Sequence, residues 1–382
     1  MNRYLSAVLV VLTLALTGLG LVMISSTTAT VAAGGSASKL VRQLSWLGVA
    51  IAVFGITGWI DYKAWRPMAW AIFGITLFAM LMVHMPVLGM KIKGSSRWVR
   101  LGPVQVQPSE IMRLALTILL ADGLARHQTR IREMKWGLVW PLVVLAPVVA
   151  LLLKEPDLGT AALVLACTLA MTYVAGARLL PLLGVGVAGA AGVATMVALL
   201  PERLDRFQAW WNAVLHPELQ QHDGKYYQIW QSLLALGNGG LEGLGLGKSR
   251  FKMRHLPEAA TDAILPIIGE ELGFYASLAI LLAYVTILIC GILIARRARE
   301  VYGLLLGFGL VFGLCLQAAI NVGTFTGCFP PKGMPLPFIS YGGSNLALCY
   351  ASIGLLVSIH RQSLRAHRFR AGLPADEETP LI

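Results

Sequence analysis

Apolar runs of about 20 residues recur along the chain from end to end, separated by short polar connections. At ~1.5 Å per residue, each run can cross a ~30 Å hydrocarbon core as a helix. Backbone groups in lipid must satisfy one another, so only helices and closed barrels span, and continuous rather than alternating apolar runs select helices. Of the 382 residues, 57% are hydrophobic and 13% charged, against ~25% charged in a soluble domain. The expected fold is an all-α polytopic integral membrane protein with about ten spans, near residues 5–27, 45–61, 68–87, 109–125, 137–153, 159–176, 179–200, 264–295, 301–322 and 346–360. The eighth run is long enough that it must tilt or leave the hydrocarbon at its ends. The first run, behind Arg3, exceeds a typical signal-peptide core and reads as an uncleaved span. One transmembrane domain is expected over residues 1–362, with a large extracytoplasmic loop, 201–263, between the seventh and eighth spans. A cytoplasmic tail follows over 363–382, polar and disordered after Arg370.

Counted over every loop, Lys and Arg divide evenly between the two sides. Loops beyond ~60 residues escape the positive-inside rule, and setting 201–263 aside places the excess with the termini, which are therefore expected in the cytoplasm. Loops 88–108 and 201–263 still hold many basic residues on the outer side, and an anionic ligand at that face would account for them. The five cysteines form no CxxC pair and the seven histidines no HExxH, so the sequence carries no disulfide framework and no protein-only metal signature. No internal repeat is evident. The basic run Arg126–Lys135 and the Arg-rich C-terminal segment read as solvated charge facing anionic lipid headgroups.

Four carboxylates mark the start of the eighth span: Glu258 and Asp262 precede it, and Glu270 and Glu271 lie inside it. Acids at bilayer depth are costly and by default functional. Thr261 is placed to cap the helix, with Asp262 in its first turn. An ionised Asp262 there has the chemistry of a general base, or it is a second capping residue; the spacing fits both. Glu270 and Glu271 lie ~12 Å deeper and are expected to pair with a buried base. Glu110 and Arg113 share a helix face at i, i+3 and are expected to pair with each other. Arg97 beside Trp98 reads as a headgroup-level anchor. The prolines and glycines of 323–345 preclude a regular helix, so the apolar Pro335–Phe338 reads as a re-entrant or interfacial segment with Lys332 as its cation. The glycine-rich run Gly237–Lys252 ends in Gly247-Lys248-Ser249, but Glu242 stands where a phosphate loop needs its first glycine. A glycine-rich turn at the membrane face is the better reading.

Together these segments resemble the SEDS family (shape, elongation, division and sporulation proteins) from about Leu5 to Arg361, and its division branch more than its rod-elongation branch. The resemblance is carried by Arg97-Trp98 with Gln107-Pro108-Ser109-Glu110, where Arg113 replaces the family's lysine, and by Pro156-Asp157-Leu158-Gly159-Thr160. It continues through Tyr227-Gln228 with Gln231-Ser232, Lys252, Leu256–Ala263, and Lys332-Gly333 with Leu336–Ser344. Ala260 and Ala263 stand where the family usually has histidine and phenylalanine. The resemblance implies a glycosyltransferase of the bacterial cytoplasmic membrane that polymerises lipid II into peptidoglycan strands during cell division. Its implied partners are a class B penicillin-binding protein, other division proteins and membrane lipids, with no nucleic acid. It also implies that Asp262 is essential.

The expected mechanism has Asp262 deprotonate the acceptor hydroxyl while Arg97, Arg206, Lys252 and Lys332 neutralise the departing lipid diphosphate. Gln228, Glu258 and Ser340, inside the matching motifs, are expected to contact substrate. A divalent cation bridging diphosphate and carboxylates is compatible with this scheme, though the sequence supplies no dedicated cage. The rival readings are a flippase for lipid-linked precursor and an inactive division scaffold. Glu110, Arg113, Asp262, Glu270, Gln317 and Asn321 gather at the outer ends of spans rather than across the midplane, which favours surface chemistry over transport.

Overall fold

The protein was analysed as a computed structural model, which describes residues 4–29, 36–83, 85, 89–92, 95–101, 104–215, 227–254, 260–330 and 332–370. A helix stands at each place where an apolar run predicts one. These are α1 (Leu5–Ala29), α2 (Ser36–Trp59), α3 (Ala69–Met82), α4 (Pro108–Arg126), α5 (Trp140–Lys154), α6 (Leu158–Val174) and α7 (Leu179–Leu199). The order then runs through α8 (Pro201–Leu215), α9 (Tyr227–Gly239) and α10 (Phe251–Arg254) to α11 (Ile264–Arg296), α12 (Val301–Phe325) and α13 (Gly343–Arg370).

Among the described residues seven helices are long and apolar enough to cross a membrane, while α3 and α6 are shorter apolar helices. By contrast α4 carries Glu110, Arg113, Asp122 and Arg126, and it can do so because protein surrounds it: every residue from Ala115 to Leu124 is buried. Helix α7 lies at the opposite extreme, with Leu182 its one buried residue.

Two regions read as loops in the sequence have structure of their own. Before α4 lie three antiparallel strands in the order β1-β2-β3: β1 (Gly89–Ile92), β2 (Ser95–Leu101) and β3 (Val104–Val106). Val99 pairs with Val106 and Leu101 with Val104, a period-2 pattern of valine and leucine. The 201–263 loop holds the helices α8, α9 and α10. At the other end of the chain, α13 runs past the expected 362/363 boundary to Arg370, and the tail expected to be disordered, 371–382, lies outside the described residues.

The long eighth span is broken rather than simply tilted. Gly273 has φ 79° and ψ −176° inside α11, a conformation glycine reaches without steric cost. The break frees carbonyls of the preceding turn, and the glycine-rich run takes them up: Leu244 N–H donates to Glu270 O and Gly245 N–H to Glu271 O, both at 2.9 Å. In return Phe274 N–H donates to Gly240 O at 2.9 Å. Irregular backbone at membrane depth is tolerated where protein satisfies it in this way. A Cβ on Gly239 would fall 1.9 Å from Gly269 O, and one on Gly243 2.3 Å from Glu271 O. The run is therefore a packing strap, glycine-rich because its backbone lies directly on another backbone.

Residues 326–342 return into the bundle between α12 and α13. Met334 and Leu336–Ser340 are buried, and α1 meets this segment so closely that a Cβ on Gly20 would lie 2.6 Å from Ile339 O. The segment is the re-entrant element that its prolines and apolar residues predict.

Candidate active site

Asp262 lies in the turn Ala260–Ala263, just before α11. The helix's cap position is Ala263, and no side chain caps it. Thr261 is thus not the N-cap that the sequence suggests, and Asp262 lies outside the first turn. Three hydrogen bonds fix the turn against the re-entrant segment. Tyr341 N–H donates to Ala260 O at 2.9 Å, and Asn321 Nδ2 donates both to Asp262 O at 2.9 Å and to Met334 O at 2.6 Å. The Asp262 side chain meets the backbone at Gly333, where an added Cβ would fall 2.5 Å from Oδ2. That glycine lets the Lys332-Gly333 turn lie against the carboxylate.

Lys332 is half-buried, with its stem over the start of α6; a Cβ on Gly159 would be 3.2 Å from Lys332 Cδ. Its ammonium is held below the ordinary lysine pKa, first by burial, with Asp157 opposing the shift and Arg203 adding to it. Asp157 is also engaged locally, capping α6 by accepting from Thr160 N–H at 3.1 Å and Thr160 Oγ1 at 2.9 Å. Arg203, on α8, had no signal in the sequence beyond its charge. Its Nη1 is buried without a hydrogen-bond partner. Helix α8 is docked by Trp210 Nε1, which donates to Gly327 O at 2.7 Å. Asp262, Lys332, Asp157 and Arg203 thus share one end of the bundle, the end that carries the re-entrant segment.

The remaining expected residues are distributed differently. Lys252, expected on a diphosphate, has a fully buried side chain whose ammonium donates to Glu271 Oε1 at 2.7 Å and Ser26 Oγ at 3.0 Å. Glu271 also accepts from Ser26 Oγ at 2.8 Å and from Gly247 N–H at 3.0 Å. It has the basic partner that buried acids were expected to have. Glu270 is met instead by neutral donors: Ser249 Oγ, Arg250 N–H at 3.0 Å and Asn238 Nδ2 at 3.2 Å. Both acids hold the glycine-rich strap to the broken helix.

The Glu110–Arg113 couple is wired outward rather than closed on itself. Glu110 accepts from Ser344 Oγ, while Arg113 donates from Nη1 to Gln317 Oε1 and from Nη2 to Asn345 Oδ1 at 3.2 Å. Gln317 in turn donates to Pro335 O at 2.6 Å, tying α4 and α12 to the re-entrant segment. A cavity of about 60 Å³ lies beside this network, lined by Glu110, Arg113, Gln317, Cys167 and Cys349 among others.

Ser340 is buried, its Oγ accepting from Leu336 N–H at 2.8 Å to close the re-entrant turn. Gln228 is half-buried at the start of α9, its carbonyl bonded by Ser232 Oγ at 2.7 Å. Arg206 is exposed on α8. Trp98 is half-buried on β2, while the Arg97 side chain and the whole of Glu258 lie outside the described residues. Among the described residues no group of three or more His, Cys, Asp or Glu side chains is placed to hold a metal ion.

Comparison with known proteins gives the same lineage from three directions. The cell cycle protein family of FtsW, RodA and SpoVE matches residues 7–365. A probable peptidoglycan glycosyltransferase FtsW of Trichlorobacter lovleyi is 38% identical over 355 residues, 92% of each chain. Stage V sporulation protein E of Bacillus subtilis is 37% identical over 359 residues, 93% of this chain and 96% of that one. Among solved structures, a chain described under structural coordination of polymerization and crosslinking by a peptidoglycan synthase complex superposes with TM-score 0.75 at 26% identity, covering 93% of this chain and 97% of that one. The rod shape determining protein RodA of Thermus thermophilus superposes with TM-score 0.68 at 27% identity, covering 93% and 96%. With its helices, its re-entrant segment and its aspartate in place, the chain is a multi-pass membrane protein of the SEDS family and stands on the FtsW-like side of it.

Proposed function

We propose that the chain is a peptidoglycan glycosyltransferase, joining lipid II units into glycan strands at the outer face of the bacterial cytoplasmic membrane during cell division. The observation that carries this reading is the seat of Asp262: a carboxylate at the end of the bundle, against Gly333, whose chain neighbour Lys332 is half-buried. The printed names of relatives such as the Trichlorobacter lovleyi protein support the same chemistry. The Asp262 carboxylate takes the proton of the acceptor sugar's hydroxyl as that oxygen attacks the donor's anomeric carbon. The bond from that carbon to the diphosphate oxygen breaks, and the diphosphate leaves with the electron pair, stabilised by the Lys332 ammonium. Electrostatic stabilisation of a leaving group placed in this way is a large catalytic term, and general base catalysis adds about 10²–10⁴-fold.

Both termini lie in the cytoplasm in this scheme. The Lys63, Arg66, Arg126 and Arg296 positions then fall on the inner side, at the ends of helices opposite Asp262. A class B penicillin-binding protein is the proposed partner, since the superposing chain above belongs to a complex that polymerises and crosslinks. Ala260, buried in the Asp262 turn, leaves the base to Asp262 alone in place of a neighbouring histidine. The test is gel analysis of glycan product made from lipid II by the purified protein, with and without its transpeptidase partner. Asp262→Asn is expected to lose at least 100-fold in rate with its melting temperature preserved. Near parental polymerisation by that variant would remove the proposed role, and lipid scrambling without polymer would turn the reading to a flippase.

A further inference from the structure

We infer that Arg203 is a second phosphate-binding residue of this site, forming with Lys332 a two-cation cradle for the diphosphate of the lipid-linked donor. The inference rests on the glycosyltransferase reading for the identity of the ligand, but its evidence is geometric. Arg203 begins α8, and its Nη1 is buried yet meets no hydrogen-bond acceptor. A guanidinium cannot shed its charge, so a buried N–H without an acceptor is a standing cost that calls for an explanation. Trp210 lies seven residues further along the same helix, two turns on and therefore on the same face. Its Nε1 is bonded to Gly327 O at 2.7 Å, which lays that face of α8 on the segment leading into Lys332.

Burial lowers the Lys332 pKa first, and Arg203 lies near enough to add to that lowering. With two cations and one carboxylate, Asp157, acting at Lys332, positive charge is left over for an anion. Asp157 already accepts two hydrogen bonds from Thr160. A diphosphate carries more than one negative charge and several acceptor oxygens. It suits a fork that bonds two oxygens at once and a point charge beside it. Arg206, the arginine that the sequence favours, is exposed on the same helix and does not share this burial.

The test is calorimetric binding of farnesyl diphosphate, with farnesyl monophosphate as comparison, to full-length detergent-solubilised Asp262→Asn protein in EDTA, so that no divalent cation bridges the ligand. On that background Arg203→Ala is expected to weaken diphosphate binding ~10–100-fold, the range of a charge-assisted hydrogen bond, and to shrink the preference for diphosphate over monophosphate. Arg203→Lys should bind between the two. Lys248→Ala, which removes an exposed lysine of the glycine-rich strap, should leave binding within twofold. In the otherwise unaltered enzyme, Arg203→Lys should raise KM for lipid II more than it lowers kcat. Diphosphate affinity within twofold of the parent in both Arg203→Ala and Arg203→Lys overturns the inference. If Arg203→Ala does not fold, Arg203→Lys decides alone, and parental affinity and preference there overturn it equally. Arg203-dependent diphosphate binding in a protein that makes no glycan would preserve the cradle and refute the polymerase. Arg203-independent binding in an active polymerase would do the reverse.

Discussion

Lys332 is the residue whose environment and proposed task pull in opposite directions. Burial favours its neutral form, whereas holding a phosphate requires the ammonium. For a base with a lowered pKa, the charged form is fully present at low pH and is lost as pH rises through the depressed value. The alkaline limb of kcat/KM for lipid II is therefore expected below the ordinary lysine range. Lys332→Arg should move that limb upward, because a guanidinium stays charged; a limb unmoved by this change would assign it to another group. At this scale the sequence was partly legible. Asp262 and Lys332 lie in short motifs whose residue types mark them as candidates. Arg203 was hidden, because one arginine in an amphipathic stretch such as Pro201–Leu215 looks like any solvated charge until the helix is seen docked through Trp210. Lys252 was misplaced for the converse reason: its charge was visible, but the chain reversal that buries it against Glu271 was not.

Among the elements, α11 and the strap laid on it work as one unit. The helix positions were readable because hydropathy measures what lipid requires. The break at Gly273 was not, since a single glycine in a long apolar run carries no sign of its φ. Nor did the glycines of 237–247 announce that they serve backbone contact. Once the strap is folded, Lys252, Glu271 and Ser26 bind three distant stretches of chain, α10, α11 and α1, through a fully buried ion pair. Removing one member of such a pair leaves the other charge uncompensated and costs about 3–5 kcal/mol. Lys252→Met is accordingly expected to lower the stability of the detergent-solubilised protein by that amount in denaturant unfolding. The double variant Lys252→Met/Glu271→Gln should recover most of the loss, because neither charge then remains. If Lys252→Met melts with the parent, the pair does not fasten the strap. If the double variant falls as far as the single one, packing rather than charge is the cause.

For the molecule as a whole, polar groups collect at the two ends of the bundle and do different work. At the Asp262 end they include the residues of the proposed site. At the opposite end they close on themselves. Asp122, almost wholly buried, receives Arg66 Nε at 2.6 Å and Arg126 Nε at 2.8 Å, and Lys63 reaches Glu300 at 2.5 Å. Tyr62 stacks on Tyr302 at 6.0 Å beneath the Arg66 guanidinium, and its hydroxyl is pushed up to about 12 by burial and the nearby Glu300 and Asp61. Within the basic run, Arg126 reaches Asp122 while its side chain stays exposed, and His127 stacks on Trp136 at 3.6 Å. This cluster pins the C-terminal end of α4 and the start of α12 to the chain that follows α2. The two ends should then be separable by experiment. Asp122→Asn leaves two partly exposed arginines facing each other without their counter-charge, and about 1–3 kcal/mol of stability should go with it, less than for a fully buried pair because solvent screens the arginines. The KM for lipid II and the pH limb assigned to Lys332 should stay where they are, since no contact of the catalytic end is touched. A shift of KM in step with melting temperature would show that the bundle transmits what happens at one end to the other, and Asp122 would then belong to the regulation of the reaction rather than to the anchoring of the fold.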